Sequence, residues 1–280
     1  MSDEIGFDDL KLEYVSIAEA RRMSGLRLVL GAYAVPGPWR ESCKGIFYVK
    51  GLDYTPVRTA NEGASDLAIG MEGTQSELIA WTAQSSAPVA IWNDERPRSL
   101  WNDQLNLAER LAPEPRLVPT DTEDRIRMFG LINELAGENG IAWSQRLLMA
   151  HGPLRSLPPD DEGRPFWQAL ADKYGYTPAG AEAACRHIAG IFATFDAQLA
   201  SQKARGHRYL MGAELTALDI YFACFLGLFK PMPPDLCPMA TAYRPAYSND
   251  DPAVEAAITP ALLAHRDFVY EQHLELPIVF

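Results

Sequence analysis

The chain has 280 residues and a mass of 31.0 kDa, enough for one large domain or two modest ones, each with its own core. Its 48% hydrophobic and 22% charged residues are those of an ordinary globular protein, and no apolar run reaches the roughly 18 residues needed to span a bilayer. Lys and Arg number 25 against 37 Asp and Glu; the resulting net charge of −12 opposes contact with phosphate backbones or anionic lipid, so neither nucleic acid nor membrane is an expected partner. The acidic opening MSDEIGFDDLKLEY lacks the basic-then-apolar order of a secretory signal, so a cytoplasmic location is expected.

Residues 1–25 read as an extension with one short helix in SIAEARRMSG, capped by Ser16 and stopped by Gly25. A strand over 26–33, a helix over about 38–50 and a second strand in YTPVRTA, closed by the turn residues NEG, make a βαβ unit. A segment with a short helix follows. PVAIW and RSLW then read as antiparallel neighbours joined by NDERP. NDQLNLAERLA has helical spacing, ended by Pro113 and Pro115. Residues 26–112 thus form a small α/β domain with the order βαβαββα, and residues 113–119 its exit linker.

From 120 to 280 the pattern is helical. TDTEDRIRMFGLINELAGENG opens with caps and first-turn acids, and places Ile126, Phe129, Leu131 and Ile132 on one face. LRSLPPDDEGRPF reads as a proline-rich insertion, AEAACRHIAGIFATFDAQLASQ as a helix, and LTALDIYFACFLGLF as the buried centre of a bundle. TALD has capping-box spacing, with Thr216 and Asp219 bonding reciprocally. PALLAHRDFVYEQHL is a last helix, closed by Pro277. The four cysteines, Cys43, Cys185, Cys224 and Cys237, form no CxxC pair, the five histidines make no ligand spacing, and GxSxG, GxGxxG and P-loop motifs are absent; no metal or cofactor is expected.

A βαβαββα domain, Ala87-Pro88 ahead of the third strand, the helix start NDQLNLAERL, the segment LVPTDTEDRIRM and YLMGAELTALDIYFA together resemble the cytosolic glutathione transferase superfamily, over about residues 26–230. The extension, the insertion near 154–164 and the tail from Pro231 depart from the common pattern, which points to a divergent class. The resemblance implies an α/β thioredoxin-like domain holding glutathione as co-substrate, an all-α domain supplying most of the second-substrate pocket, and a homodimer. It implies that Ala87-Pro88 is a cis peptide whose alanine backbone pairs with glutathione's cysteinyl part. Asp103 and Gln104 fall where the family binds the γ-glutamyl group, with Gln104 in place of the usual hydroxyl residue.

The family's Ser or Cys position aligns with Gly37, Pro38 or Trp39, none of them a nucleophile. The tyrosine-type position aligns with Tyr33, whose O–H would stabilise the glutathione thiolate with Arg40 as the nearby cation; Pro38 and Trp39 would border the ligand. Ser42 and Cys43 are rival donors one turn into the helix. Trp143 would line the second pocket. The activity implied is thiolate attack on an apolar electrophile, by a transferase of alkyl or aryl groups. Two alternatives remain open: a non-catalytic ligand-binding or assembly protein on the same fold, and a glutathione-dependent reductase working through Cys43.

Overall fold

The structure is a computed structural model that describes residues 12–30, 35–59, 75–239 and 241–280. It divides into two compact units. The first joins Met1–Leu117 with Pro231–Pro245 and Tyr270–Phe280; the second joins Val118–Lys230 with Ala246–Val269. The first division falls between Leu117 and Val118, but the units are not contiguous stretches of chain: two later segments pack with the α/β unit.

In the first unit the order is α1 (Ile17–Ala20), β1 (Leu26–Val29), α2 (Pro38–Val49), β2 (Thr55–Val57), α3 (Ser76–Thr82), β3 (Val89–Trp92) and α4 (Trp101–Leu111). The sheet order is β2-β1-β3, with β2 parallel and β3 antiparallel to β1. Every residue of β1 is buried, as expected of a central strand covered on both faces. One face of the sheet packs Val29, Val57, Val89 and Ile91 against Ile17 and Ala20 of α1 and Leu78 of α3.

The extension has a defined job over its described part. Ser16 and Glu19 form a reciprocal capping box on α1. Just before it, Val15 bridges β2, its N–H donating to the Pro56 carbonyl at 3.0 Å and its carbonyl accepting from Arg58 N–H at 3.0 Å. The outer edge of β2 is thereby paired rather than left open. Gly25 has φ +87°, a left-handed conformation that costs glycine little, and its N–H donates to Asn93 Oδ1 in the turn after β3. Arg27, buried on β1, donates to the carbonyls of Ala20, Met23 and Asn93, which fixes α1 and that turn to the central strand.

The fourth strand expected at RSLW is reduced to one bridge, Arg98 with Ala90, their N–H and C=O groups exchanging two bonds of 2.9 Å. Pro97 has no N–H to extend the ladder, and α4 starts at Trp101, so the segment is divided between a bridge and a helix. The end of the first expected strand (31–33) and the NEG turn lie outside the described residues.

The second unit begins with α5 (Thr122–Ala136), α6 (Ile141–Ser156), α7 (Arg164–Lys173), α8 (Pro178–Ala204) and α9 (Ala217–Leu226). It continues through α10 (Pro252–Ala257) and most of α11 (Pro260–His273), whose last turn belongs to the first unit. The inward stripe of α5 is Met128, Ile132, Leu135 and Ala136; Ile126, expected on that face, is exposed. The proline-rich segment begins inside α6, and Arg164 closes it by donating to the carbonyls of Leu154 and Leu157. All ten residues of α9 are buried, with Phe222 against Phe195 and Phe229 beyond the helix against Phe192, ring centroids 5.1 Å apart in each pair.

At the start of α9 the Thr216 N–H and hydroxyl both donate to Asp219 Oδ2, at 3.0 and 2.9 Å. Asp219 Oδ1 accepts from Leu210 N–H at 2.8 Å and lies 3.0 Å from His265 Nε2 on α11. The carboxylate is thus a cap and also the knot between α9, the 209–212 loop and α11. α11 itself ends at His273, four residues before Pro277.

Candidate functional site

Antiparallel pairing sets Val29, near the end of β1, opposite Val89, the first residue of β3. That register places the cis Ala87–Pro88 peptide beside the end of β1. The chain leaves the same sheet end to enter α2, with Gly37 as N-cap and Pro38 at the first helical position, where a missing N–H costs nothing. No side chain caps α2, so its first-turn N–H groups and dipole are directed toward this sheet end.

Gln104 ties the start of α4 to the same place. Its Nε2 lies 3.0 Å from the Pro88 carbonyl and 3.3 and 3.4 Å from those of Arg98 and Ser99. The buried amide therefore braces the backbone behind Ala87. Asp103, next to it, is half-buried and pairs with Arg96 at 3.0 Å. The end of β1, the start of α2, the Ala87–Pro88 peptide and the start of α4 thus converge.

Arg40 is only 3% exposed. Its Nε donates to Glu41 at 2.9 Å, its Nη2 donates to the Val35 carbonyl, and its guanidinium lies 5.2 Å from the Phe280 ring centroid. Lys44 donates to Glu41 at 3.0 Å and to the Val279 carbonyl. Leu12 N–H donates to the Phe280 carbonyl at 3.1 Å and Ile278 N–H to Leu236 at 2.8 Å, so the 278–280 segment lies along α2. The buried ion pairs are held by this cover, which the sequence signalled only as the apolar run PIVF.

Tyr33 lies outside the described residues. Trp39, half-buried, offers its carbonyl to Ser42 Oγ at 3.2 Å, which turns that rival hydroxyl onto the helix backbone. Cys43 is fully buried on the core face of α2, and burial, with Glu41 adding, pushes its thiol well above the ordinary range. Such a thiol is not a thiolate nucleophile, so the structure gives no support to disulfide exchange through Cys43. In the second unit Trp143 donates Nε1–H to the Tyr174 carbonyl at 2.9 Å and stacks edge-on against that ring at 4.7 Å. Thr216 and Asp219 are capping and packing residues, as their spacing implies.

A family model described as glutathione S-transferase, C-terminal domain, matches residues 178–266, the stretch that holds α8, α9 and their Thr216–Asp219 box. That stretch, about a third of the chain, is similar to the C-terminal domain of glutathione S-transferases. Solved structures of the transferase fold agree at low identity. Glutathione transferase Omega 3C from Trametes versicolor aligns with TM-score 0.55 and 13% identity, over 92% of this chain and 90% of that one. Rice GST1, solved in complex with glutathione, gives 0.54 and 17%, over 91% and 93%. A glutathione S-transferase from Xanthobacter autotrophicus Py2 gives 0.53 and 16%, over 90% and 96%. No curated protein sequence matches. The transferase fold here has a thioredoxin-like unit with a three-stranded sheet, followed by the helical unit; among the described residues no helix is long and apolar enough to cross a membrane.

Proposed function

We propose that the chain binds glutathione at the sheet end bounded by Gly37–Arg40, Ala87–Pro88 and Asp103–Gln104, and activates its thiol for attack on an apolar electrophile. The observation that carries this reading is the convergence of an uncapped helix start, a strand entry at a cis peptide and an acidic helix start at one place in a transferase fold. A backbone edge at Ala87 suits the cysteinyl peptide of glutathione, the α2 start suits a developing thiolate, and Asp103 suits an ammonium group. The rice relative bound to glutathione has this fold.

In the proposed reaction the thiol proton leaves to solvent and the Tyr33 hydroxyl donates a hydrogen bond to the sulfur. The thiolate pair then forms a bond to the electrophilic carbon as the leaving group departs with its electrons. Arg40 is assigned a positioning role: its bond to the Val35 carbonyl holds the backbone just ahead of α2. Trp143 borders the second substrate, and the active form is a cytoplasmic homodimer.

A second reading, glutathione-independent binding or assembly on the same fold, is favoured by one observation: Arg40 and Asp103 are already paired within the protein. Calorimetric titration with glutathione, with ultraviolet difference absorbance to report thiolate, separates the two. Wild type is expected to bind and form thiolate, and Tyr33→Phe to bind but lose the thiolate signal. No binding at millimolar glutathione overturns the transferase reading.

A further inference from the structure

The helical unit holds a polar cleft of about 160 Å³ where the end of α8 and the loop after it meet the first turns of α5. Three basic side chains border it: Arg127 from α5, Arg205 at the end of α8, and His207 from the loop. Among the described residues no carboxylate lies within ion-pair distance of any of them, in a chain with twelve more acids than bases. Arg127 donates to a neutral acceptor, Gln198 Oε1 at 2.5 Å, and Gln198 is itself fixed by donating to the Leu210 carbonyl at 2.6 Å. A helix C-terminus attracts a cation, which accounts for one of the three but not for their convergence from three segments.

The floor supplies an independent observation. Gln202, which lines the cleft, is only 7% exposed; its Oε1 accepts from Gly212 N–H at 3.0 Å, which fixes the amide orientation and leaves Nε2 as a donor with no protein acceptor. An amide with a fixed orientation and a spare donor, beside two arginines and a histidine that no carboxylate neutralises, is arranged for an acceptor that the protein does not provide. Ser201 adds a hydroxyl at the wall, and Asp124 supplies the one acidic group in the lining.

We propose that this cleft binds a small hydrophilic anion, its phosphate or carboxylate group against Arg127, Arg205, His207 and Gln202 Nε2, and a hydroxyl or amino group of the same molecule against Asp124. The volume is below that of a cleft for a drug-sized ligand, which limits the occupant to a small metabolite rather than a nucleotide or peptide. This site is separate from the glutathione site proposed above and does not depend on it.

The test is calorimetric titration of the full chain at low ionic strength with inorganic phosphate, O-phosphoserine and glutamate in turn. At least one probe is expected to bind saturably, and Arg205→Gln and His207→Gln, both altering side chains without partners, are each expected to weaken it by about tenfold or more, the effect of losing a charge-assisted bond. Asp124→Asn is expected to remove any preference for O-phosphoserine over phosphate, while the response of every variant to glutathione stays that of wild type. Absence of binding by all three probes, or binding unchanged in both Arg205→Gln and His207→Gln, overturns the proposal.

Discussion

Asp219 accepts from two backbone N–H groups and the Thr216 hydroxyl, and contacts His265, with no exposure to solvent. Asp219→Ala strands the Leu210 and Thr216 N–H groups and His265 together, so a loss of about 3 kcal/mol or more is expected in urea unfolding, with Asp219→Asn retaining part of it. The thiols behave in a correspondingly simple way. Burial raises Cys43 beyond the ordinary range and Cys237 to about 11, and Cys185, half-buried, is raised by burial with Asp251 adding. In native protein Ellman's reagent is expected to reach Cys185 slowly and the three buried thiols not at all, with four equivalents titrated after denaturation. The sign for stability follows from the same shifts. The unfolded thiols ionise first as pH passes about 8.5, so their contribution is intact below that value and declines above it. Thermal scans are expected to show an alkaline loss of stability that Cys237→Ala reduces.

At the scale of elements, α2 is covered by a strap that arrives from the other end of the chain. Phe280 is buried and faces Arg40, and Val279 accepts from Lys44. Phe280→Ala is expected to cost about 3 kcal/mol, at the low end for a core phenylalanine because it lies on a short segment, and to perturb Arg40 and Glu41 resonances in a two-dimensional spectrum. Element types and order were legible from periodicity and punctuation: the helix start at Pro38, the Ser16 cap of α1 and the uniform apolarity of α9 all act within a few residues. The RSLW strand was misjudged because its fate depends on Gln104, which draws the Arg98 and Ser99 carbonyls toward α4 from outside the segment. Ile126 was misjudged likewise, since the inward stripe of α5 is selected by what packs there and not by apolarity alone.

At the scale of the molecule, an acidic chain gathers Arg127, Arg205 and His207 at one cleft while its candidate thiol site is built mainly from backbone. The homodimer proposed above is expected to sediment near twice 31.0 kDa, and a single-chain mass would remove that part of the reading. By itself the sequence determined the order of the elements and the helix caps, because each rests on neighbours within a turn or a strand length, while the cis Ala87-Pro88 step was implied by the family resemblance. Only the tertiary structure decided that Arg40 is held under Phe280, that Gln104 braces Pro88, and that Arg127, Arg205 and His207 share a cleft. Those contacts join residues up to hundreds of positions apart, and local pattern carries no information about which distant groups a fold will bring within hydrogen-bonding distance.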